Sequence, residues 1–299
     1  MPFFTCIILS HNKPVHLLEA LDSVMAQTFA DWEAIVFDSG TLHDQGFFDT
    51  VPAMKDPRVR LVRSWETDEL RKTRTIASWC FNECFRKDLV RGKFVTYLCD
   101  DDRFYPNAFA AFHRHAEDNP GVLAMYGSID MTVINLRGER HFLKELRAEV
   151  PRGSCCLRAP IDGHVDYLQL CHHVDLMRLL PGDEYWPEDR QVIRHADGVF
   201  METIGKLVPI QPVAAKIGEN RKVPSSLNDG GDRIDLLEEI CHAYAENRRL
   251  KEILSPDGQV PVRYRIADHV NAALKRFPRL HEIGRKMVLA GVRHWRRTA

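Results

Sequence analysis

The stretch that decides the fold is FVTYLCDDD, Phe94 to Asp102. Its first residues suit a buried strand, and this strand runs directly into three consecutive carboxylates, Asp100, Asp101 and Asp102. Carboxylates this close together raise one another's pKa unless a cation lies among them, and Mg²⁺ or Mn²⁺ prefers such oxygens. Ligands of open α/β sheets bind at the carboxyl ends of strands. The stretch therefore predicts a metal and phosphate site, with a solvated acidic turn as the alternative.

The composition limits the classes of protein to which the chain can belong. With 299 residues and a net charge of -1, it can form one large or two small α/β domains, and nucleic acid is not an expected partner. Its eight cysteines show no C-x-x-C pair and no zinc-finger spacing, which argues against structural zinc. The N-terminus lacks the features of a signal peptide, and no run reaches the roughly 20 apolar residues of a membrane span. We therefore expect a cytoplasmic protein.

The charge is unevenly distributed between the body of the chain and its carboxyl-terminal tail. From Val262 to Ala299 there are ten Lys or Arg residues against two acids, a net of +8, which leaves the preceding body at -9. Basic residues mixed with Trp295 and aliphatic residues are typical of interfacial helices, so one hypothesis is peripheral contact with an anionic membrane. A solvated helical face explains the same pattern, as does a face that docks on the acidic body or on another subunit.

The N-terminal half alternates strand and helix patterns and predicts a βαβ unit. Strands are expected near residues 1–9 and Trp32–Phe37, with an amphipathic helix around Leu17–Met25 between them. A third strand is expected at Val59–Val62, and a helix around Ile76–Cys84 precedes the strand of the acidic stretch. The predicted fold class is therefore α/β.

The pattern is less regular in the second half of the chain. The elements expected there are strands at Val122–Tyr126, Thr132–Asn135 and 206–213, and helices around Phe109–His113 and Ala196–Ile204. Between Arg147 and Glu188 lies a proline- and glycine-rich stretch with only a short strand or turn near Val165–Cys171, and loops of this length often cover a site. Residues 218–232 predict a mobile segment, and two further helices follow.

Several phrases of the chain resemble family 2 glycosyltransferases of the GT-A fold. These phrases are CIILSHNK at Cys6–Lys13, SVMAQTF at Ser23–Phe29, DPRVR at Asp56–Arg60 and the stretch Phe94–Asp102. Within the family, residues 1–220 are most similar to the spore coat polysaccharide synthesis glycosyltransferases. The resemblance implies a mostly parallel central sheet flanked by helices. It also implies a domain organisation: a glycosyltransferase domain at 1–232, with a nucleotide-sugar half at 1–103 and an acceptor half at 104–232, and a helical extension at 233–299.

The resemblance implies which residues bind the metal. In the family, the acidic motif after the fourth strand binds the divalent ion that bridges the diphosphate of the donor. Here the motif falls on Cys99-Asp100-Asp101, which implies Asp101 as a metal ligand and Asp100 as a ribose or metal contact. A strict Asp-x-Asp would instead join Asp100 to Asp102, so Asp102 is a further candidate. The implied cofactor is Mn²⁺ or Mg²⁺.

The resemblance also implies the rest of the donor site. The family builds its nucleoside pocket from the loop after strand one and the acid after strand two, and the matching residues are Ser10, His11, Asn12 and Asp38. The spore coat enzymes have a second acid where this chain has Ser39, so the identity of the base stays open. Arg71 and Arg74 match a basic loop near the base and phosphates. Many members have a histidine where Val223 stands, so we expect Arg221 and Lys222 to serve the diphosphate from a closing loop.

A second signature lies later in the chain, with YWPE at Tyr185–Glu188 and HADGVF at His195–Phe200. It resembles the Tyr-Trp motif and the later Gly-Asp-Ala of the family, where the Asp is the general base that takes the proton of the acceptor hydroxyl. The resemblance implies Asp197 in this role. A plain helix N-cap is the alternative, and Glu188 and Asp189 are the other candidate bases. The implied acceptor contacts are Asp166, His172, Trp186 and Glu188, although a core or surface role explains His172 equally well.

Together these features predict a metal-dependent, inverting glycosyltransferase that uses a UDP- or dTDP-sugar in polysaccharide or glycoconjugate synthesis. A sugar nucleotidyltransferase is an alternative, but it usually begins with a Gly-rich phosphate loop, and residues Ser10–Lys13 contain no glycine. A GT-A module that binds a nucleotide sugar or glycan without turnover is a second alternative. The retained acids Asp101 and Asp197 argue against it.

Overall fold

The computed structural model describes residues 1–40, 45–64, 67–134, 138–155, 161, 164–180, 182, 184–193 and 195–223. The predicted boundary at 232/233, the two last helices and the basic tail lie outside these residues and remain predictions. Among the described residues, no helix has both the length and the apolar character that crossing a bilayer would require.

Strands and helices alternate along most of the described chain. The strands are β1 Phe4–Ser10, β2 Trp32–Asp38, β3 Val59–Arg63, β4 Phe94–Cys99, β5 Arg103–Phe104, β6 Ala124–Ile134, β7 Arg140–Leu146, β8 Leu170–His173 and β9 Gln211–Lys222. The α-helices are α1 Pro14–Met25, α2 Gln45–Thr50, α3 Thr67–Leu70, α4 Ile76–Arg86, α5 Ala108–Asp118, α6 Asp175–Leu179 and α7 Ala196–Leu207. The predicted α/β class is thereby confirmed.

All of these strands belong to one sheet with the order β3-β2-β1-β4-β8-β6-β9-β5, and β7 pairs with β6. The pairs β3–β2, β2–β1 and β1–β4 are parallel. Beyond β4 the sheet is mixed, because β8 runs antiparallel to both β4 and β6, whereas β6 and β9 are parallel. The parallel half of the sheet is the half that the sequence patterns predicted.

The core lies on both faces of the parallel half. Cys6 and Ile8 of β1 belong to one apolar cluster with residues of α1 and α5, whereas Ile7 and Leu9 belong to a second cluster with residues of α4 and α7. Burial on both faces explains why β1 is a continuous apolar run instead of an alternating one. Just before β4, Gly92 lies so close to β1 that a Cβ atom would come within 2.4 Å of the backbone N of Thr5.

The second half differs from the sequence predictions in three places. Residues 124–134 form one long strand, β6, where two short strands were expected, and its partner β7 was not predicted. The expected strand at 206–213 overlaps β9 only at residues 211–213, because α7 continues to Leu207 and β9 begins at Gln211. Residues 218–222 belong to β9 and pair with β6, so this part of the expected mobile segment is a strand. Long-range pairing determines these elements, and local patterns do not record it.

Candidate functional site

Three strands of the parallel half end side by side where the site lies. In the register of β1 with β2, Ser10 pairs with Asp38, and in the register of β1 with β4, Leu9 pairs with Cys99. The loop after β1 and the acids after β4 therefore meet at the carboxyl edge of the sheet, the usual ligand position in α/β folds.

A cavity of about 490 Å³ lies at this edge. Most of the predicted site residues line it: Ser10, His11, Arg71, Arg74, Asp100, Asp101, Asp102, Asp166, Trp186, Asp197, Arg221 and Lys222. The predicted residues that do not line it are Asn12, Asp38, His172 and Glu188. The fold thus brings Asp101 and Asp197 to the same cavity, although they are far apart in sequence.

The three acids after β4 are almost completely buried. Lys13 Nζ lies 3.1 Å from Asp100 Oδ1 and 2.7 Å from Asp101 Oδ2, and the lysine itself is also buried. The backbone N–H of His11 donates to the other oxygen of Asp100 at 2.7 Å. Lys13 therefore supplies a positive charge between Asp100 and Asp101, the two acids for which the resemblance implied contacts with metal and ribose.

Burial and neighbouring charges shift the acid–base equilibria of the cluster. Burial, opposed in part by Lys13, raises the pKa of Asp100 to about 6. Burial raises the pKa of Asp102 well above its ordinary range, and Asp101 and Asp166 raise it further. Burial by itself would lower the pKa of Lys13, but the attraction of Asp101 and Asp100 outweighs it and the pKa lies above its ordinary value. A further cation would therefore stabilise the ionised carboxylates.

Three residues are grouped so that they could hold that cation. One ligand atom each of Cys99, Asp101 and Asp102 lies within 4.8 Å of the other two. The carboxylate oxygens of Asp101 and Asp102 suit Mg²⁺ or Mn²⁺, so these two acids fit a divalent metal. Cys99 is the weaker ligand, because burial raises the pKa of its thiol well above the ordinary value. Asp100 does not belong to this group, and its two carboxylate oxygens accept hydrogen bonds from the His11 N–H and from Lys13.

The conformation of the loop after β1 explains how it reaches the acids. Asn12 has a φ of 57°, in the left-handed region that asparagine tolerates better than most residues. The residues on either side of Asn12 both donate hydrogen bonds to Asp100, His11 from its backbone N–H and Lys13 from its ammonium group. Asn12 thus lies in the loop that forms the cavity wall, and a direct contact with the donor remains a prediction.

The ring of His11 lies at the cavity wall beside Ser39 and Arg71. Its Nδ1 is 3.1 Å from the carbonyl oxygen of Ser39 and 2.7 Å from Nη2 of Arg71. Asp38, by contrast, is buried, and its carboxylate lies 3.3 Å from Nε of Arg63. The nucleobase contact expected of Asp38 remains a prediction, while Ser39 takes the position on the cavity surface.

Glu188 is placed to hold Arg74. Its buried carboxylate forms an ion pair with Arg74, lies 2.8 Å from Nη1 of Arg86 and accepts a hydrogen bond from Asn82 Nδ2 at 2.8 Å. Arg74 lines the cavity and Glu188 does not. This placement favours a role for Glu188 in orienting Arg74 over the acceptor contact that the resemblance implied.

Asp197 is the second residue of α7 and is half-buried. The N-cap of this helix is His195, so the alternative that Asp197 is the N-cap is wrong. One carboxylate oxygen of Asp197 accepts the backbone N–H of Gly198 at 2.9 Å. The other candidate bases, Glu188 and Asp189, do not line the cavity. Of these three acids, only Asp197 lines the cavity, and its role as general base remains a prediction.

Trp186 and His172 belong to a buried aromatic cluster next to the cavity. Trp186 stacks on Phe200 of α7, with ring centroids 4.0 Å apart, and its indole N–H points to Tyr97 Oη at 3.4 Å. The Tyr97 hydroxyl donates to His172 Nε2 at 2.7 Å, while Nδ1–H donates to the His173 carbonyl at 3.1 Å. Burial lowers the pKa of His172 to about 4, so its ring is neutral. This placement supports the core alternative for His172.

Asp166 joins the cavity through a short 3₁₀ turn at Tyr167–Gln169. It is the N-cap of this turn and completes a capping box with Gln169. Its second oxygen lies 3.3 Å from Nδ2 of Asn220, and the same nitrogen lies 3.4 Å from the carboxylate of Asp102. Burial raises the pKa of Asp166. The side-chain amide of Asn220 therefore links Asp102, which follows β4, to Asp166, a predicted acceptor contact.

Arg221 and Lys222 are the last two residues of β9, not part of a separate closing loop. The backbone N–H of Arg221 donates to Asp102 Oδ1 at 2.8 Å. Its guanidinium group is buried and contacts Glu19 and the Asp101 carbonyl. Arg221 therefore fixes the acid cluster, and both residues bring positive charge to the cavity wall.

The cavity-lining residues to which sequence reasoning assigned no role include Lys13, Cys99, Tyr167 and Asn220. Lys13 and Cys99 directly adjoin predicted site residues at strand ends, and that adjacency is a signal that could have identified them. Tyr167 lies in the irregular stretch and Asn220 in the segment that was expected to be mobile. No local pattern distinguishes these two residues.

Comparison with known proteins gives distant sequence relatives. No known protein-family model matches the chain. Protein CgeD of Bacillus subtilis (strain 168) is 24% identical over 233 residues, which are 75% of this chain and 51% of that protein. The putative colanic acid biosynthesis glycosyl transferase WcaA of Escherichia coli (strain K12) is 23% identical over 116 residues, 39% of this chain and 38% of that protein. The chain thus spans about half the length, or less, of these curated relatives.

Solved structures show which fold the chain has. The structure of S. aureus TarS 1-349 in complex with UDP matches with a TM-score of 0.53 and 16% identity, covering 74% of this chain and 61% of that chain. Another S. aureus TarS structure gives a TM-score of 0.51 at 14% identity, covering 74% of this chain and 37% of that chain. The chain therefore has the GT-A fold of glycosyltransferases, as the resemblance of its sequence implied.

Proposed function

We propose that the chain is a metal-dependent glycosyltransferase that moves a sugar from a nucleotide diphosphate sugar to an acceptor hydroxyl with inversion. The observation that carries this proposal is that Asp101, Asp102 and Asp197 line one cavity at the carboxyl edge of a GT-A sheet. The names of similar proteins support the class, since WcaA is a putative glycosyl transferase and one TarS structure contains UDP.

The donor side of the cavity is the edge formed by β1, β4 and β9. Asp101 and Asp102, with Cys99, would hold Mn²⁺ or Mg²⁺, which when bound offsets the negative charge of the departing diphosphate. Arg71 and Arg74 line the same cavity and add positive charge for the phosphates. The ring of His11 lies at the wall, where it can stack on a nucleobase.

The acceptor side is formed by α7 and the segments before it. Asp197 takes the proton of the acceptor hydroxyl as its oxygen attacks the anomeric carbon, which requires a carboxylate on the face opposite the leaving group. It lies in the first turn of α7, where the partial positive charge of a helix N-terminus interacts favourably with an acidic side chain. Trp186 packs against Phe200 of the same helix and fixes the position of the base relative to β4.

The identity of the substrates forms the finer part of the proposal. We infer a UDP- or dTDP-sugar donor, supported by the UDP in the TarS structure, and a role in polysaccharide or glycoconjugate synthesis, supported by the name of WcaA. The similarity to the spore coat polysaccharide enzymes, the cytoplasmic location and a peripheral membrane contact through the basic tail belong to the same proposal. They rest on the sequence alone.

Substitution of Asp197 tests the catalytic assignment. A panel of UDP- and dTDP-sugars is incubated with Mn²⁺, and the release of nucleotide diphosphate is measured for the wild type, Asp197→Asn and Asp189→Asn. We expect Asp197→Asn to lower the rate by at least about 100-fold while UDP binding is unchanged, because a general base contributes about that factor. The control Asp189→Asn removes a neighbouring acid that does not line the cavity, and its rate should match the wild type.

Two other results would change the assignment. An Asp197→Asn variant with the wild-type rate would remove Asp197 as the base. A wild type that binds these nucleotide sugars but releases no diphosphate, even when glycan acceptors are supplied, would favour the non-catalytic binding module.

A further inference from the structure

Lys13 places a positive charge inside the acid cluster, and the proposed reaction gives this charge no role. Its side chain is 7% exposed and pairs with two buried acids, at 3.1 Å from Asp100 and 2.7 Å from Asp101. Removing one partner of a buried ion pair leaves an uncompensated buried charge, which lowers stability. Lys13 therefore contributes to the stability of the fold around the acid cluster.

The same lysine also affects any ion that binds next to it. Asp101 accepts a hydrogen bond from the ammonium group of Lys13. It is also, with Cys99 and Asp102, one of the three candidate metal ligands. A divalent ion bound there would share a carboxylate with Lys13, and the two positive charges would repel each other at a short distance in a buried site. A diphosphate entering the cavity would supply negative charge that compensates both.

We propose that Lys13 is a built-in counter-ion and a positioning residue of the metal site, which makes binding of the divalent ion depend on the nucleotide diphosphate. Without metal, Lys13 holds Asp100 and Asp101 in place. With metal alone, its charge weakens the binding of the ion. With metal and diphosphate together, the repulsion is offset, so each ligand strengthens the binding of the other by the same factor. This inference rests on the proposed function and names the residue that couples its two ligands.

The test measures Mn²⁺ binding by electron paramagnetic resonance, in which free Mn²⁺ gives a signal that bound Mn²⁺ loses. The full chain is titrated with and without UDP as wild type, Lys13→Gln, Lys13→Arg and Lys216→Gln. Lys216 is the matched control, because it pairs with Asp130 at 2.8 Å and does not line the cavity. In the wild type, UDP should strengthen Mn²⁺ binding at least about tenfold, in line with coupling between neighbouring ligands.

The Lys13 variants separate charge from structure. In Lys13→Gln, Mn²⁺ alone should bind at least about tenfold more tightly than in the wild type, and the effect of UDP should shrink accordingly. Lys13→Arg keeps the charge and should resemble the wild type, as should Lys216→Gln. Unchanged Mn²⁺ affinity in Lys13→Gln, or an equal change in Lys13→Arg, would overturn the proposal, because a purely structural lysine would give that result.

The test also gives an answer if Lys13→Gln does not fold or if Mn²⁺ does not bind. If Lys13→Gln does not fold, Lys13→Met replaces it, since it removes the charge and keeps the length of the side chain. Its Mn²⁺ affinity without UDP should be at least about tenfold higher than in the wild type, and an unchanged affinity would contradict the proposal. If neither the wild type nor any variant binds Mn²⁺, with or without UDP, the metal dependence of the proposed function fails. If the wild type binds it and Lys13→Gln behaves identically, only the Lys13 proposal fails.

Discussion

At the scale of single residues, His172 shows how burial converts an ionisable side chain into a structural one. Its Nε2 accepts from the Tyr97 hydroxyl, and its Nδ1–H donates to the His173 carbonyl. Acceptance at Nε2 requires the neutral ring, whereas donation from Nδ1–H does not, and burial lowers the pKa of His172 from an ordinary 6.5 to about 4. The folded state therefore resists protonation at a pH where the unfolded chain accepts a proton.

This shift predicts a pH-dependent loss of stability. Above pH 6.5 His172 is neutral in both states and the fold is unaffected; as the pH falls from 6.5 toward 4, the unfolded state gains protons first and becomes favoured. The full effect is about 3 kcal/mol at about 1.4 kcal/mol per pKa unit. We expect the free energy of unfolding in urea to fall more steeply between pH 7 and pH 4.5 in the wild type than in His172→Gln.

The matched control for this prediction is His141→Gln, because the side chain of His141 is 46% exposed. It should retain the wild-type pH dependence. If His172→Gln has the same slope as the wild type, protonation of His172 is not linked to folding.

The acid cluster shows what residue patterns reveal and what they omit. The run of three acids after an apolar strand predicted a site that needs a cation, and the residues lie together at one cavity. That Lys13 supplies one positive charge was not predicted, because the contact depends on the register of β1 with β4 and on the turn at Asn12. The partner of Glu188 was likewise hidden, since Arg74 precedes it by more than a hundred residues.

At the scale of secondary-structure elements, α4 holds the segment that carries Trp186 and Glu188. The amide of Asn82 donates to the Trp186 carbonyl and to Glu188 Oε1, both at 2.8 Å, and its oxygen accepts the Trp186 N–H at 2.9 Å. Asn82 is completely buried. One side chain thus satisfies the backbone of an irregular segment that could not otherwise be buried.

Removal of this side chain should loosen the segment. We expect Asn82→Ala to lower the free energy of unfolding by about 2 to 4 kcal/mol, because buried polar groups left without partners cost about 1 to 3 kcal/mol each. Diphosphate release should fall as well, since Arg74 loses the fixed position of Glu188. Urea unfolding and the release assay measure the two effects.

Asn119→Ala is the control for Asn82→Ala. Asn119 donates one hydrogen bond to the His115 carbonyl, at 2.9 Å, where α5 ends. We expect a loss of at most about 1 kcal/mol there. Equal losses of unfolding free energy in the two variants would show that the buried hydrogen bonds of Asn82 stabilise the fold no more than the single hydrogen bond of Asn119.

Elements defined by local patterns were predictable, and elements defined by distant partners were not. β1, α1, β2 and β4 each show an apolar run or a helical repeat that is sufficient to identify them. β7 is largely exposed and polar, so only its pairing with β6 makes it a strand. β9 was cut short in the prediction because its polar end, including Asn220 and Arg221, is buried through contacts with the acid cluster.

At the scale of the whole molecule, the cavity is assembled from segments that span almost the entire described chain. The loop after β1, the acids after β4, the first turn of α7 and the end of β9 all contribute side chains. Positive and negative side chains both line it. We propose that a divalent ion held by the acids after β4 binds the diphosphate of the donor.

Calorimetric titration of the full chain with UDP, in the presence and absence of Mn²⁺, measures whether the ion and the diphosphate bind together. We predict that Mn²⁺ strengthens UDP binding at least about tenfold in the wild type, that Asp101→Asn abolishes this gain, and that GDP and ADP bind more weakly than UDP. UDP affinity that is the same with and without Mn²⁺, or a gain that persists in Asp101→Asn, would contradict the account.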